Sequence, residues 1–273
     1  MGKLTDQAYL LSQQYGDAAK LNARIELHRR FSTNARGWMP WVFDQFDLPA
    51  EGAVLDVGCG PCDLWAENGD RLPAGWRVAL SDFSPGMLRQ AQDNLRPHVS
   101  VRPCTFWCAD AQALPFASDR FDAVVANHML YHVPDRARAI AEMFRVLKPG
   151  GRLYAGTNGQ AHMRELREWV ARFGPQASAF DAPLGFSLEN GAPQLSRCFA
   201  EVTLRRYPDG LVVTEPGPFI AYVLSMIRAP AIQENPEPFV RAVEQAISSQ
   251  GAIRVTKDTG LFIATKAPIS LDV

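Results

Sequence analysis

Ala53-Val-Leu-Asp-Val-Gly-Cys-Gly-Pro-Cys62 decides how the rest of the chain is read. Val54, Leu55 and Val57 make a short apolar run of the kind that forms a parallel strand buried on both faces. Asp56, Gly58 and Gly60 close it in an Asp-x-Gly-x-Gly pattern. Glycine at such a strand end permits backbone angles, and a closeness of approach, that a β-carbon would obstruct, so a nucleotide-like ligand can lie directly on the main chain. A tight strand-to-helix turn accounts for the same residues with no ligand at all, and the flanking sequence has to separate the two.

Downstream, strand and helix patterns alternate. The spacing predicts strands at 53–57, 77–80, 105–109, 121–126 and 152–157 and helices at about 64–71, 85–94 and 136–147, with Lys148-Pro-Gly-Gly151 as a stop and turn. That rhythm gives a parallel sheet wrapped by helices on both faces. Ligands of such sheets bind at the carboxyl ends of the strands, where strand order reverses. Gly58, Asp82, Asp110 and Asn127 all fall at or just beyond predicted strand ends and are expected to converge.

Residues 1–51 carry no strand pattern and read as a helical cap, with Leu10, Leu11, Leu21, Ile25, Leu27 and Phe31 apolar among polar neighbours. Residues 52–158 form the core. In the remainder, 159–273, the pattern predicts a helix near 164–173, a Pro/Gly-rich loop over 174–193, strands at 202–206 and 211–214, helices around 219–227 and 239–247, and a last strand at 261–264. The late strands are expected to pair antiparallel at the sheet edge.

The chain has 273 residues, 47% hydrophobic and 21% charged, ample for a large core without a staple. Its formal charge of −1 offers no general attraction to nucleic acid or anionic membrane. The amino terminus lacks the apolar core of a signal peptide and no run approaches a membrane span, so a cytoplasmic protein is expected. Cys59, Cys62, Cys104, Cys108 and Cys198 read as reduced thiols. A four-thiolate zinc site is disfavoured because Cys59 occupies the turn and Cys104 and Cys108 share a strand; no metal is expected.

Asp82 ends the second strand, about twenty residues beyond Gly60, where a carboxylate accepts hydrogen bonds from both ribose hydroxyls. Two cofactors compete for such a site, a nicotinamide dinucleotide and S-adenosylmethionine. The dinucleotide fingerprint asks for a glycine three residues after Gly60; Asp63 stands there, and its charge near the helix start opposes a pyrophosphate. A sulfonium cofactor has no phosphate to accommodate.

Residues 50–157 resemble the class I S-adenosylmethionine-dependent methyltransferases, in the small-molecule group related to the ubiquinone-biosynthesis enzymes. Val54 to Gly60 is similar to the first motif, Asp82 to the ribose acid, Cys108-Ala-Asp110-Ala111 with Leu114-Pro-Phe116 to the adenine segment, Phe121-Asp-Ala-Val-Val125 to the fourth strand, and Arg145 to Gly151 to the turn before the fifth. The resemblance implies a Rossmann-like seven-stranded sheet, mostly parallel with an antiparallel edge strand. It also implies cofactor contacts at Asp56, Gly58, Cys59 and Gly60, a ribose held by Asp82, an adenine bordered by Phe83 and Met87, with Asp110 accepting its amine, and a pocket completed by Ala111 and Asn127. Cys62 departs from the pattern, standing where many members carry a third glycine.

Methyl transfer needs no acid for its leaving group, and a base only if the acceptor must lose a proton. His128 and His132, with Tyr131 between them, are the candidate catalytic residues; each also reads as a packed wall histidine. The fourth strand runs into Asn127-His-Met-Leu130 and not Asn/Asp-Pro-Pro-Tyr, which argues against the branch that methylates amide or exocyclic nitrogens. The expectation is a small organic acceptor methylated on oxygen, nitrogen or carbon, in secondary metabolism, near Arg24, His28, Trp38 and Trp41. Two other readings stay open: a protein that binds the cofactor without methyl transfer, and a tRNA or other nucleic-acid methyltransferase resting on Arg24, Arg29, Arg30 and Arg36.

Overall fold

A computed structural model describes residues 26–98, 104–174, 184–226 and 230–268. Arg24 and the apolar positions up to Ile25 lie outside these residues, as do positions 175–183 of the predicted loop 174–193; its end differs from the expectation, since a short helix starts at Gly191. Seven strands form one sheet: β1 (Ala53–Val57), β2 (Arg77–Asp82), β3 (Cys104–Cys108), β4 (Phe121–Asn127), β5 (Leu147–Asn158), β6 (Glu201–Val213) and β7 (Ile253–Thr265), in the order β3-β2-β1-β4-β5-β7-β6. β1 pairs parallel with both β2 and β4, so strand order reverses at its carboxyl end. All five residues of β1 are buried, as the apolar run requires.

β7 is the antiparallel strand, pairing with β5 on one side and β6 on the other. It lies one position in from the margin, and β6 closes the sheet. Two details differ from the expectation. Residues 201–213 are one strand, unbroken by Pro208-Asp-Gly210, and β7 begins at Ile253, eight positions before the predicted start. At the margin of the sheet, a proline needs no partner for its missing N–H. Asp209 also finds acceptor work outside the strand, since it takes N–H groups of Thr33 and Asn34 at 3.0 Å each.

The helices start where their caps dictate. Ser84 Oγ accepts from Met87 N (3.3 Å) to open α3 (Pro85–Leu95), with Pro85 in the first turn, and Asp135 accepts from Arg138 N (3.0 Å) to open α4 (Arg136–Val146). Each such cap contributes about 1 kcal/mol. The helix expected over 64–71 is shorter: α2 (Asp63–Ala66) ends and a 3₁₀ turn follows at Gly69–Arg71. Asn68 causes the break, its side-chain amide donating to Leu64 O at 2.8 Å.

One apolar cluster, with Leu55, Val124 and Leu153, lies beneath α4; another, with Val54, Val78 and Leu80, lies beneath α2, α3 and the cap. A third joins Leu27 and Phe31 of the cap to α5 (Arg164–Phe173), α7 (Pro216–Leu224) and α9 (Glu237–Gln250), with the short helices α6 (Gly191–Leu195) and α8 (Pro230–Glu234) between them in the chain. The cap is therefore packed on the later elements of the chain as well as on the sheet. Its short helix α1 (Trp38–Phe43) buries Val42 and Phe43. Among the described residues no helix is long and apolar enough to cross a membrane.

Candidate active site

A cavity of about 530 Å³ opens at the carboxyl ends of β1, β2, β3 and β4. Its walls include every predicted cofactor contact: Asp56, Gly58, Cys59, Gly60, Asp82, Phe83, Met87, Asp110, Ala111 and Asn127. His128 and His132 line it as well. Residues separated by some seventy positions meet because each ends a strand beside the reversal of strand order.

The floor is the turn after β1. Gly58 and Gly60 take φ of 69° and 54°, the left-handed region that favours glycine. A β-carbon on Gly58 would stand 2.8 Å from Met129 Cβ, whereas one on Gly60 would meet no protein atom within 4 Å. The space over Gly60 is thus open, as a ligand lying on the main chain requires. Cys62, in place of a third glycine, also sits in the left-handed region at φ 65° and starts α2 with its side chain fully buried. The geometry a glycine would supply is kept, and the cost of order 1 kcal/mol for an L-residue there is offset by burial of the thiol.

Asp82 ties this turn to β2. One oxygen accepts from Gly60 N (2.9 Å) and the other from Ser84 N (2.8 Å), leaving lone pairs directed to the cavity. Burial pushes its carboxyl above the usual range, and those backbone donors oppose the shift. Asp110 is held by Gln112, which donates both its backbone N–H (2.9 Å) and its side-chain amide (3.0 Å). Asp56 is buried, accepts the Trp65 indole N–H at 2.8 Å and leaves its second oxygen without a partner. Burial pushes its pKa up to about 7.

On the opposite wall, Asn127 ends β4 and accepts from Trp38 Nε1 at 3.1 Å. His128 follows with φ 56°, an unusual backbone for a non-glycine residue and of the strained kind that clusters at functional sites. Its ring lies 5.1 Å from Trp38 and 6.4 Å from Tyr131. Burial first, then the charge of Lys257, lowers its pKa to about 4, so it is neutral at physiological pH. His132 lies one 3₁₀ turn on, its ring 4.4 Å from Tyr131.

Of the residues expected near the acceptor, Trp38 and Trp41 stack at 5.3 Å, and both meet Tyr207 of β6, at 5.4 and 5.2 Å. His28 packs edge-on to Tyr222 of α7 at 6.0 Å, farther from the turn. Sequence reasoning missed Met39 and Met129, which line the cavity from the cap and from the segment after β4. No motif marks either. It also missed Tyr207, Asp209 and Lys257, brought together by the pairing of β6 with β7, and His162, whose Nδ1 lies 3.3 Å from Thr259 Oγ1 of β7. The described arginines of the cap are engaged: Arg29 with Glu26, Arg30 with Glu215, and Arg36 with Asp44.

A glycine turn and two strand-end carboxylates, Asp82 and Asp110, thus gather at the reversal point of this strand order. Residues 55–155 match the methyltransferase domain family. Over 118 residues the chain is 36% identical to the ubiquinone/menaquinone biosynthesis C-methyltransferase UbiE of Proteus mirabilis, a stretch covering 43% of this chain and 47% of that enzyme. The chain thus aligns with about half the length of the curated relatives it matches. In fold it is similar to phosphoethanolamine N-methyltransferase 2 of Haemonchus contortus in complex with phosphomonomethylethanolamine and S-adenosylhomocysteine: TM-score 0.60, 17% identity, 98% of this chain and 61% of that one. It is also similar to the [4+2]-cyclase SpnF, with TM-score 0.54, 20% identity, and 84% and 80% of the two chains covered.

Proposed function

We propose that this protein transfers the methyl group of S-adenosylmethionine to an oxygen, nitrogen or carbon atom of a small organic acceptor. The observation that carries the reading is the convergence of ten predicted cofactor contacts and two histidines on one cavity. The residues fit the cofactor: Gly60 leaves a cradle that a β-carbon would fill, and Asp82 keeps acceptor capacity beside it. The Gly58–Gly60 turn underlies the methionine portion, Asp82 takes the ribose hydroxyls, Phe83 and Met87 border the adenine, and Asp110 with the backbone of Ala111 meets its edge.

When bound, S-adenosylmethionine supplies an activated methyl carbon and a leaving group that departs as a neutral thioether. The protein's part is to hold the acceptor in line and keep water away, which accounts for much of the barrier in such displacements. Met39 and Met129 supply the apolar wall. His128, neutral and beside the cavity, takes the acceptor's proton where one must be lost, with His132 as the second candidate. Likeness to the C-methyltransferases puts carbon first among the three atoms to test. The ion pairs of Arg29, Arg30 and Arg36 weigh against a nucleic-acid acceptor.

Because the fold is shared with a cyclase, binding and transfer must be read separately. Calorimetry with S-adenosylmethionine and S-adenosylhomocysteine tests the first, and release of S-adenosylhomocysteine with candidate acceptors tests the second. Asp82→Ala removes charge-assisted bonds and should weaken cofactor binding about 10- to 100-fold. Full affinity in that variant would sink the ribose assignment.

A further inference from the structure

A second cavity, of about 430 Å³, has no lining residue in common with the first. It opens toward the other end of the sheet, where Ala53, Arg77 and Phe121 begin β1, β2 and β4. Its origin is the connection from β3 to β4. Residues 109–120 make that crossing without a helix, so no crossover helix covers the face that Ala79 of β2 shares with Thr105 of β3. Ala79 still belongs to the cluster beneath α4, but Thr105 beside it is exposed, and Trp107 two residues on is 39% exposed.

The cavity is a trough with an apolar lining and a charged rim. Small side chains, Ala53, Ala79 and Thr105, make its floor on three neighbouring strands. Trp107, Phe116 and Phe121 make its side, in edge-on contacts of 5.1 and 5.2 Å. From β4 to β3 the lining crosses four adjacent strands, a length of about 14 Å at the usual strand spacing. Arg77 and Arg120 supply the charge from the two flanks of Ala53: Arg77 is its partner on β2, and Arg120 immediately precedes β4, the strand on the other side of β1. The Arg120 guanidinium lies 5.8 Å from the Phe121 ring, which is part of the wall. Among the described residues neither guanidinium forms an ion pair or hydrogen bond, and the acids adjoining Arg120 are engaged elsewhere, Asp119 with Lys266 and Asp122 with Lys148 and Ala53 N.

We infer that this trough is a second binding site, which takes a medium-chain alkyl carboxylate: the chain lies over Ala53, Ala79 and Thr105 beside Trp107, and the carboxylate is held between Arg77 and Arg120. Two uncompensated cations at the rim of an apolar trough select an occupant with an apolar body and one anionic end. The length and the small-residue floor suit an extended chain. Two copies of this face would bring like charges together, so a second chain is not the occupant. The volume falls within the range of about 300–1,000 Å³ usual for small-molecule pockets. The site stands apart from the methyl-transfer reading, because the two cavities are lined by different residues.

The test is calorimetry on the full chain saturated with S-adenosylhomocysteine, titrated with octanoate and with its neutral isostere octanamide. Octanoate should bind saturably, one molecule per chain, and about tenfold or more tightly than the amide, because charge-assisted bonds to the guanidiniums are lost in the amide. Arg77→Gln and Arg120→Gln, at exposed positions, should each remove most of that preference and leave octanamide as it was. Thr105→Phe fills the floor and should weaken both ligands about tenfold or more. Affinity for S-adenosylhomocysteine should be unchanged in all three variants, which certifies their fold. Equal binding of acid and amide, no saturable binding of octanoate at millimolar concentration, or octanoate affinity undiminished in the two arginine variants or in Thr105→Phe overturns the proposal. Failure of S-adenosylhomocysteine to bind the unaltered chain strikes the methyltransferase reading instead, and the octanoate comparison then decides the trough with circular dichroism as the control on folding.

Discussion

Single atoms in the turn after β1 separate a ligand cradle from a mere turn. Gly60→Ala adds a methyl group that meets nothing in the protein, so its cost to folding is the left-handed strain, about 1–2 kcal/mol. The same methyl group stands where the proposed function puts the cofactor. Thermal unfolding should therefore show a modest loss, and S-adenosylhomocysteine affinity a fall of more than about tenfold. Unchanged affinity with the expected loss of stability would mean that nothing lies on Gly60. Asp56 supplies a second test. With its pKa raised to about 7 against 3.8 for a free side chain, ionisation is penalised in the fold, and the stability it contributes at low pH is lost as pH rises through that window. Asp56→Asn removes the titration, so denaturant unfolding at pH 8 should show a smaller loss relative to pH 5 than in the unaltered chain. The glycines, Asp82 and Asp110 were legible because each occupies a strand end at fixed spacing. Their internal partners were not: that Gln112 holds Asp110, or that Asp82 grips Gly60 N, depends on side-chain directions that spacing leaves open.

At the scale of elements, β1 to β4 were read to within two residues, because each is a short apolar run closed by a turn signal, whereas β5 begins at Leu147, five positions before its expected start, the Lys148-Pro-Gly-Gly151 segment being taken into the strand. The late strands were misread for a physical reason. Pro208-Asp-Gly210 carries a turn composition, but at the sheet margin β6 absorbs it, and Asp209 spends its acceptor capacity on residues 32–34. This makes Asp209 the clip between cap and sheet, reinforced by the bridge of Ser32 to Leu211. Asp209→Asn strands the buried Lys257 charge and weakens the clip, a change of the class that costs about 3–5 kcal/mol. Urea unfolding should show a loss of that order, and acceptor turnover should fall further than cofactor affinity, since the clip holds the helix bearing Trp38 and not the glycine turn. Equal losses in both would remove the distinction between the two ends of the site.

Across the whole molecule, three largely enclosed histidines lie near Lys257: His28 and His128, each with pKa lowered to about 4, and His162, well below 6.5. Burial is the leading cause for all three, with Lys257 adding to it. The sign follows from linkage. A depressed folded pKa means that the unfolded chain binds more protons between about pH 4 and 6.5, so stability falls as pH drops through that window. Each histidine contributes a slope of at most about 1.4 kcal/mol per pH unit. Unfolding followed from pH 7 to pH 4.5 should reveal a decline that His28→Gln or His162→Gln makes shallower; a flat profile would contradict the buried, neutral state of the cluster. Sequence showed neither this cluster nor the cap's attachment, since both arise where residues 28, 128, 162 and 257 meet through tertiary packing alone. The central claim, one cavity shared by cofactor and acceptor, is tested most directly by a crystal structure with S-adenosylhomocysteine. The account predicts ribose hydroxyls on Asp82, adenine between Met87 and Ala111, and the thioether sulfur facing His128 and Trp38. Ribose bound away from Asp82, or a sulfur turned from the histidine wall, would contradict it.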